Sequence, residues 1–257
     1  MSEALRHAWR HTLRDVRSGR LVILLASLVL AVAATGSVGL FTERVRLALE
    51  QQSGDALGGD ALLSGRAPLP EARLTDLHAA GVETTPVVVF SSVAAAGEQT
   101  SLVSVKAVGE GYPRRGIVQL AQESFGAMQP ARGIPMPGEA WVDARLLVDL
   151  QLALGETFQL GQLQLKAAAL IAYEPDRGGG FSDLAPRVMI REDALAASGL
   201  LSLGSRARYM QQLTGSARAL AAAEAMERDG HSRWITPKEA RPEVKSTLDR
   251  AGQFLDI

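Results

Sequence analysis

The sequence predicts an α+β fold: one N-terminal transmembrane helix followed by a mixed α/β domain of two subdomains. Three observations carry that expectation. Residues 21–41, LVILLASLVLAVAATGSVGLF, hold 21 residues without a charge. At 1.5 Å per residue such a helix reaches roughly 30 Å, the thickness of a bilayer's hydrocarbon core. Beyond Phe41, short β-branched runs alternate with helical ones and are punctuated by Gly and Pro. Finally, 47% of the chain is hydrophobic, enough for the remainder to build a core.

Residues 1–20 read as a basic amphipathic segment. Arg6, Arg10, Arg14 and Arg17 recur at helical spacing on one face, and Leu5, Trp9, Leu13 and Val16 on the other. Such a helix suits the surface of membrane lipids. The segment carries five arginines against Glu3 and Asp15; of the 27 basic and 28 acidic residues in the chain, 22 and 26 follow it. Positive charge before a first membrane helix stays in the cytoplasm. The expectation is an inner-membrane protein with its N-terminus cytoplasmic and its large domain periplasmic. That outer part has no basic field, so no nucleic acid is expected as a partner.

The span is assigned to residues 21–42. Its rival is a cleaved signal peptide, with Ala31-Val32-Ala33 as the small-x-small site. The apolar run continues through Val38, Leu40 and Phe41, where a signal peptide turns polar. Ser27 and Ala31, then Ala33 and Ser37, place small residues four apart, which lets a second membrane helix approach closely. A lone anchor is the alternative.

Residues 43–53 continue as a stalk helix, since TERVRLALEQQ from Thr42 to Gln52 has no breaker, with a stop at Ser53-Gly54. The outer domain is assigned to residues 54–238. Strands are expected at 60–64, 82–95, 100–108, 140–142, 157–160, 162–173, 187–190, 205–213 and 233–236, with hairpins at Gly97-Glu98 and Gly161. Helices are expected at 71–80, 143–151 with Asp143 as its cap, 191–197 and 216–229. Residues 109–138 read as loop-rich, with Pro113, Pro130, Pro135 and Pro137. In residues 239–257, Val244, Leu248, Ala251 and Leu255 fall on one helical face and suggest a second stalk leading toward a further span, packed antiparallel to residues 43–52.

No chemistry-bearing constellation stands out. There is no cysteine, so thiol catalysis, disulfides and Cys-zinc sites are excluded. His7 and His11 are four apart but lack the Glu of a zinc motif; His78 and His231 stand alone. There is no nucleophile elbow and no phosphate loop of the Walker type. Gly178-Gly179-Gly180 reads as a loop between strands, and Asp176 and Asp183 are too far apart for a calcium loop. Glu139, Asp143 and Asp149 read as solvated or capping carboxylates. No catalytic, cofactor-binding or metal residue is assigned, no cofactor is expected, and the chain is not expected to be an enzyme.

Five segments in order carry a resemblance: LEQQSGDALGGDALLSGRAPLP from Leu49, LVSVKAVGEGYPRRG from Leu102, GEAWVDARLLVDLQLALGETFQLG from Gly138, AYEPDRGGGFSDLAPRVMI from Ala172 and DRAGQFLDI from Asp249. The chain resembles the N-terminal portion of FtsX/MacB-type ABC transporter permeases, YbbP-like members in particular. The resemblance implies a MacB-like periplasmic core between membrane helices. It implies as partners a cytoplasmic ABC ATPase that binds ATP, the other membrane helices of the permease, and a thioesterase/lysophospholipase. It implies motion passed through the stalk to the outer domain, and export or extraction of hydrophobic, lipid-like substrates. Because the sequence stops where a second span is due, a fragment of a longer permease is expected. The alternatives are a single-pass anchored binding or sensor module and a membrane-tethered hydrolase.

Overall fold

The computed structural model describes residues 20–123, 126–177, 184–201, 206–226 and 232–240. The expectations for residues 1–19, for Gly178-Gly179-Gly180 and for the packing of residues 243–257 lie outside these. The chain divides into two compact units, Met1–Leu49 and Glu50–Ile257.

The first unit contains most of α1 (Arg20–Leu57, 38 residues). Its stretch Val22–Phe41 is 20 residues long, apolar and unburied, and by length and composition could cross a membrane. Its few hydroxyls are satisfied within the helix. Ser27 Oγ donates to Leu24 O at 2.9 Å, Thr35 Oγ1 to Ala31 O at 2.6 Å and Ser37 Oγ to Ala34 O at 2.9 Å. No polar side chain here therefore needs water.

The expected stop at Ser53-Gly54 is corrected. The helix passes both residues and ends at Leu57. A glycine inside a helix costs about 1 kcal/mol relative to Ala but does not by itself end it; a glycine in the left-handed conformation is a common stop. Gly58 supplies it, with φ of +68°.

Among the described residues of the second unit eleven strands form one sheet network. They are β1 (Ala61–Gly65), β2 (Glu83–Ala96), β3 (Gln99–Val108), β4 (Gln119–Ala121), β5 (Gln129–Pro130), β6 (Glu139–Val142), β7 (Thr157–Leu160), β8 (Leu163–Tyr173), β9 (Arg187–Arg191), β10 (Arg208–Thr214) and β11 (Arg233–Ile235). The order is β11-β1-β10-β2-β3-β9-β6-β8-β4-β5, and β7 pairs with both β2 and β8. The path β2-β3-β9-β6-β8-β7 therefore returns to β2 as a closed ring. Most pairs are antiparallel; β3–β9 and β6–β8 are parallel.

Every ring strand sends buried residues to one core cluster: Phe90 and Ala94, Val103 and Val105, Val188 and Ile190, Ala140 and Val142, Leu165 and Ala167, Phe158 and Leu160. Helix α3 (Ala144–Leu150) adds Leu146 and Leu150, and Asp143 caps it by accepting from Arg145 N at 3.1 Å. Each fully buried Leu or Ile contributes on the order of 1.5–3 kcal/mol, so this interior dominates the unit's stability. On the other side of β2, helices α2 (Glu71–Ala79) and α5 (Ala217–Met226) supply Leu77, Ala219 and Ala223 to a cluster with Leu63 of β1 and Leu213 of β10. The expected helix at 191–197 is a 3₁₀ turn (Glu192–Ala194) followed by one α turn, α4 (Leu195–Ser198), and α6 (Pro237–Ala240) follows β11.

Register sorts the sheet's two faces. Val88 stands opposite Ala107, and Val87 opposite Val108. The first pair belongs to the face inside the ring. The second belongs to the outer face, where Tyr112, Val118 and Trp141 cover Met189 and Val108.

Candidate functional site

That outer face carries a row of polar residues on strands otherwise made of valine and alanine. Ser104 and Lys106 lie two apart on β3, and Arg187 of β9 pairs with Ser104 in register. All three are buried. The carboxylates that answer them, Glu174 and Asp176, stand just after β8, and Tyr112 stands just after β3.

Lys106 Nζ lies 2.7 Å from Glu174 Oε1, 2.7 Å from Asp176 Oδ1 and 2.8 Å from Tyr112 OH. An ammonium has three protons, so its donors are matched one to one. Glu174 Oε2 accepts from Arg187 Nε at 3.1 Å, and Arg187 Nη1 donates to Ser104 Oγ at 2.6 Å. Tyr112 OH donates to Asp176 Oδ1 at 2.6 Å, and Gln212 Nε2 donates to Asp176 Oδ2 at 2.7 Å. The side chains of Lys106, Glu174 and Arg187 are 3%, 0% and 4% exposed. Two cations thus balance two carboxylates in a nearly dry site, the condition under which buried ions persist.

The electrostatics follow. Burial pushes the Glu174 carboxyl up, but the charges of Lys106 and Arg187 and the Lys106 hydrogen bond outweigh it and hold Glu174 below the usual carboxylate range. Burial, then the negative charges of Asp176 and Glu174, push the Tyr112 phenol well above its ordinary value. Tyr112 therefore stays neutral and keeps donating. The set offers neither a free base nor an unpaired nucleophile. What it can do is hold strands and loops at fixed positions.

It also reaches the end of α1. Gln212 Nε2 lies 3.3 Å from Leu57 O, the last carbonyl of the helix. Arg115 N donates to Gly58 O at 3.0 Å, and the Arg115 guanidinium grips Asp60 at 2.8 and 3.0 Å. Beside it, Arg114 donates to Thr85 Oγ1, Glu83 and Thr84 O. The helix terminus, β10, β3 and β9 are thus joined through one chain of side chains.

The carboxylates singled out from the sequence are dispersed. Asp143 caps α3 and pairs with Arg145 and Arg177. Burial pushes its carboxyl up, and the hydrogen bonds and charge of Arg145 bring it below the ordinary value. Asp149 accepts from Ser101 Oγ at 2.7 Å, and Glu139 faces Lys166 at 3.8 Å. His78 Nε2 lies 3.0 Å from Thr84 Oγ1, while His7, His11 and His231 lie outside the described residues. Among the described residues no group of three His, Asp or Glu could hold a metal. Among the described residues weighed from the sequence, only Asp176 enters the buried network. The signal for the rest was a lone lysine in LVSVKAV.

Comparison with known proteins adds an independent line. The chain is 29% identical over 254 residues to the ABC transporter permease YbbP of Escherichia coli K12, covering 94% of this chain and 30% of that protein. This chain is similar to an ABC transporter permease. It spans about 30% of that relative's length. No family model matches. Among solved structures, the extracellular domain of the noncanonic ABC-type transporter YknZ from Gram-positive bacteria is similar at 13% identity and a TM-score of 0.45, covering 68% of this chain and 98% of that one. The periplasmic region of MacB from Actinobacillus actinomycetemcomitans is similar at 10% identity and a TM-score of 0.47, covering 76% and 95%.

Proposed function

We propose that this chain is the N-terminal part of an ABC transporter permease. In this reading α1 crosses the inner membrane with the N-terminus in the cytoplasm, and the unit Glu50–Ile257 is the periplasmic domain. A cytoplasmic ATPase partner supplies the energy, and further membrane helices complete the permease. The similarity to a permease along 94% of the chain carries the reading.

The buried network supports a coupling mechanism for this reading. In it, movement of α1 reaches Leu57, and from there the contacts of Gln212, Asp176 and Lys106 pass it to β3 and β9. The substrate class we assign is hydrophobic or lipid-like, with a thioesterase/lysophospholipase as a second partner.

The chain has no cysteine, so single introduced cysteines report topology directly. In intact cells, a membrane-impermeant maleimide is expected to label Glu98→Cys, in the β2–β3 turn, and to label Ser18→Cys only after lysis. Labelling of Ser18→Cys in intact cells would overturn the proposed orientation.

A further inference from the structure

A second polar feature lies on the same outer sheet face, separated from the ion network by β2. A cleft of about 820 Å³ is lined by Ser64, Val89, Ser91, Arg66, Arg206 and Arg208. Register explains the convergence. Ser64 stands opposite Met210 and Arg208 opposite Val89, so by the two-residue period Ser64, Arg208, Val89 and Ser91 share one face. Arg206 lies two residues before Arg208, and Arg66 follows β1 directly. Adjacent strands are about 4.8 Å apart and alternate residues about 7 Å, so the three arginine stems rise within one ligand's breadth.

No lining residue is acidic. Among the described residues, none of the three arginines has a carboxylate partner, unlike Arg114, Arg115, Arg145 and Arg191. The carboxylates across β2 are not available to them: Glu174 and Asp176 are saturated by Lys106 and Arg187, Tyr112 and Gln212. Three guanidinium groups without a carboxylate beside them make the cleft cationic. Guanidinium groups match the oxygens of a phosphate in forked pairs, and the hydroxyls of Ser64 and Ser91 add donors.

We infer that this cleft binds a phosphate group. The outer face also exposes the cross-strand pair Val93 and Leu102, 52% and 62% accessible, one alternate residue beyond Ser91. An apolar chain attached to the phosphate would lie there, so free phosphate and a phosphate-headed amphiphile are both candidates for the source. The cleft and its test do not depend on the permease reading.

The test uses the full chain in dodecyl maltoside, with binding followed by phosphorus NMR line broadening. One arm titrates inorganic phosphate and the other dodecyl phosphate. Arg206→Gln/Arg208→Gln is expected to weaken binding at least about tenfold, as the loss of charge-assisted pairs requires. Arg66→Gln is expected to weaken it in the same direction, and Arg132→Gln, an exposed arginine outside the cleft, to leave it unchanged. Arginine-dependent binding of inorganic phosphate supports the inference and assigns free phosphate. Arginine-dependent binding of dodecyl phosphate alone supports it and assigns an amphiphile. Binding of neither probe, or equal binding by wild type and the double variant, overturns it.

Discussion

Gln212 Nε2 stands 3.3 Å from Leu57 O and 2.7 Å from Asp176 Oδ2, so one side-chain amide joins the end of α1 to a buried carboxylate. Its Oε1 accepts from Arg114 N at 3.4 Å. Gln212 is thereby the hinge pin of the network: it sits on β10, yet its contacts belong to the helix terminus and to the loops after β3 and β8.

Lys106→Met leaves Glu174 and Asp176 buried with one cation between them. Breaking a buried pair from one side costs roughly 3–5 kcal/mol. Urea unfolding of the full chain in detergent is expected to show a loss of that order. The double variant Lys106→Met/Glu174→Gln is expected to recover part of it, because one uncompensated charge is gone. A double variant less stable than the sum of the two single changes would contradict the pairing.

Gly58→Ala strains the backbone and the network together. The residue has φ of +68°, and an added Cβ collides with the Gln212 side chain. The left-handed conformation alone costs about 1–2 kcal/mol for a residue with a Cβ. The melting temperature is expected to fall, and Gly54→Ala, inside the helix, is expected to raise it slightly.

Acid loosens the site in a defined window. Glu174 titrates lower folded than unfolded, so its contribution is complete above about pH 4.3, the unfolded value. It is lost as pH falls through the lower folded value. Stability measured against pH is expected to decline below that point, and Glu174→Gln is expected to flatten the decline. An unchanged slope in the variant would assign the acid sensitivity elsewhere, Asp143 being the next group with a lowered value.

Asp143→Ala removes the cap of α3 and the partner of Arg145 and Arg177. A lost cap costs about 1 kcal/mol, and the measured loss in thermal unfolding is expected to be at least that.

The elements are legible in the sequence because their signals are local. The runs at 82–95 and 100–108 announce a hairpin through β-branched residues on either side of Gly97, which takes φ of +57°. Asp143 announces its helix because capping needs only the next turn. The β7–β8 hairpin around Gly161 is legible in the same way, but the closed ring is not, since β7 meets β2 through a nonlocal choice of register that no single run encodes. Neither is the ion network. Ser104 and Lys106 alternate with valines, the usual signature of a solvated strand face, and Glu174 lies 68 residues from Lys106. Only the parallel β3–β9 pairing, also nonlocal, puts Arg187 beside them. The helix stop falls later than expected for a related reason: Gly54 and Gly58 look alike in sequence, and contacts with Gln212 and Arg115 decide between them.

The amides of Gly58, Asp60 and Arg115 donate to Asp55 O, Leu213 O and Gly58 O, so they report whether the helix end is held by the sheet. Hydrogen exchange of the full chain in detergent reads them directly. Asp176→Asn is expected to speed their exchange about tenfold, the scale of one lost hydrogen bond to a charged group, while amides of the ring strands β6 and β7 keep their protection. Unchanged exchange at these three amides in Asp176→Asn would contradict the coupling of α1 to the buried network.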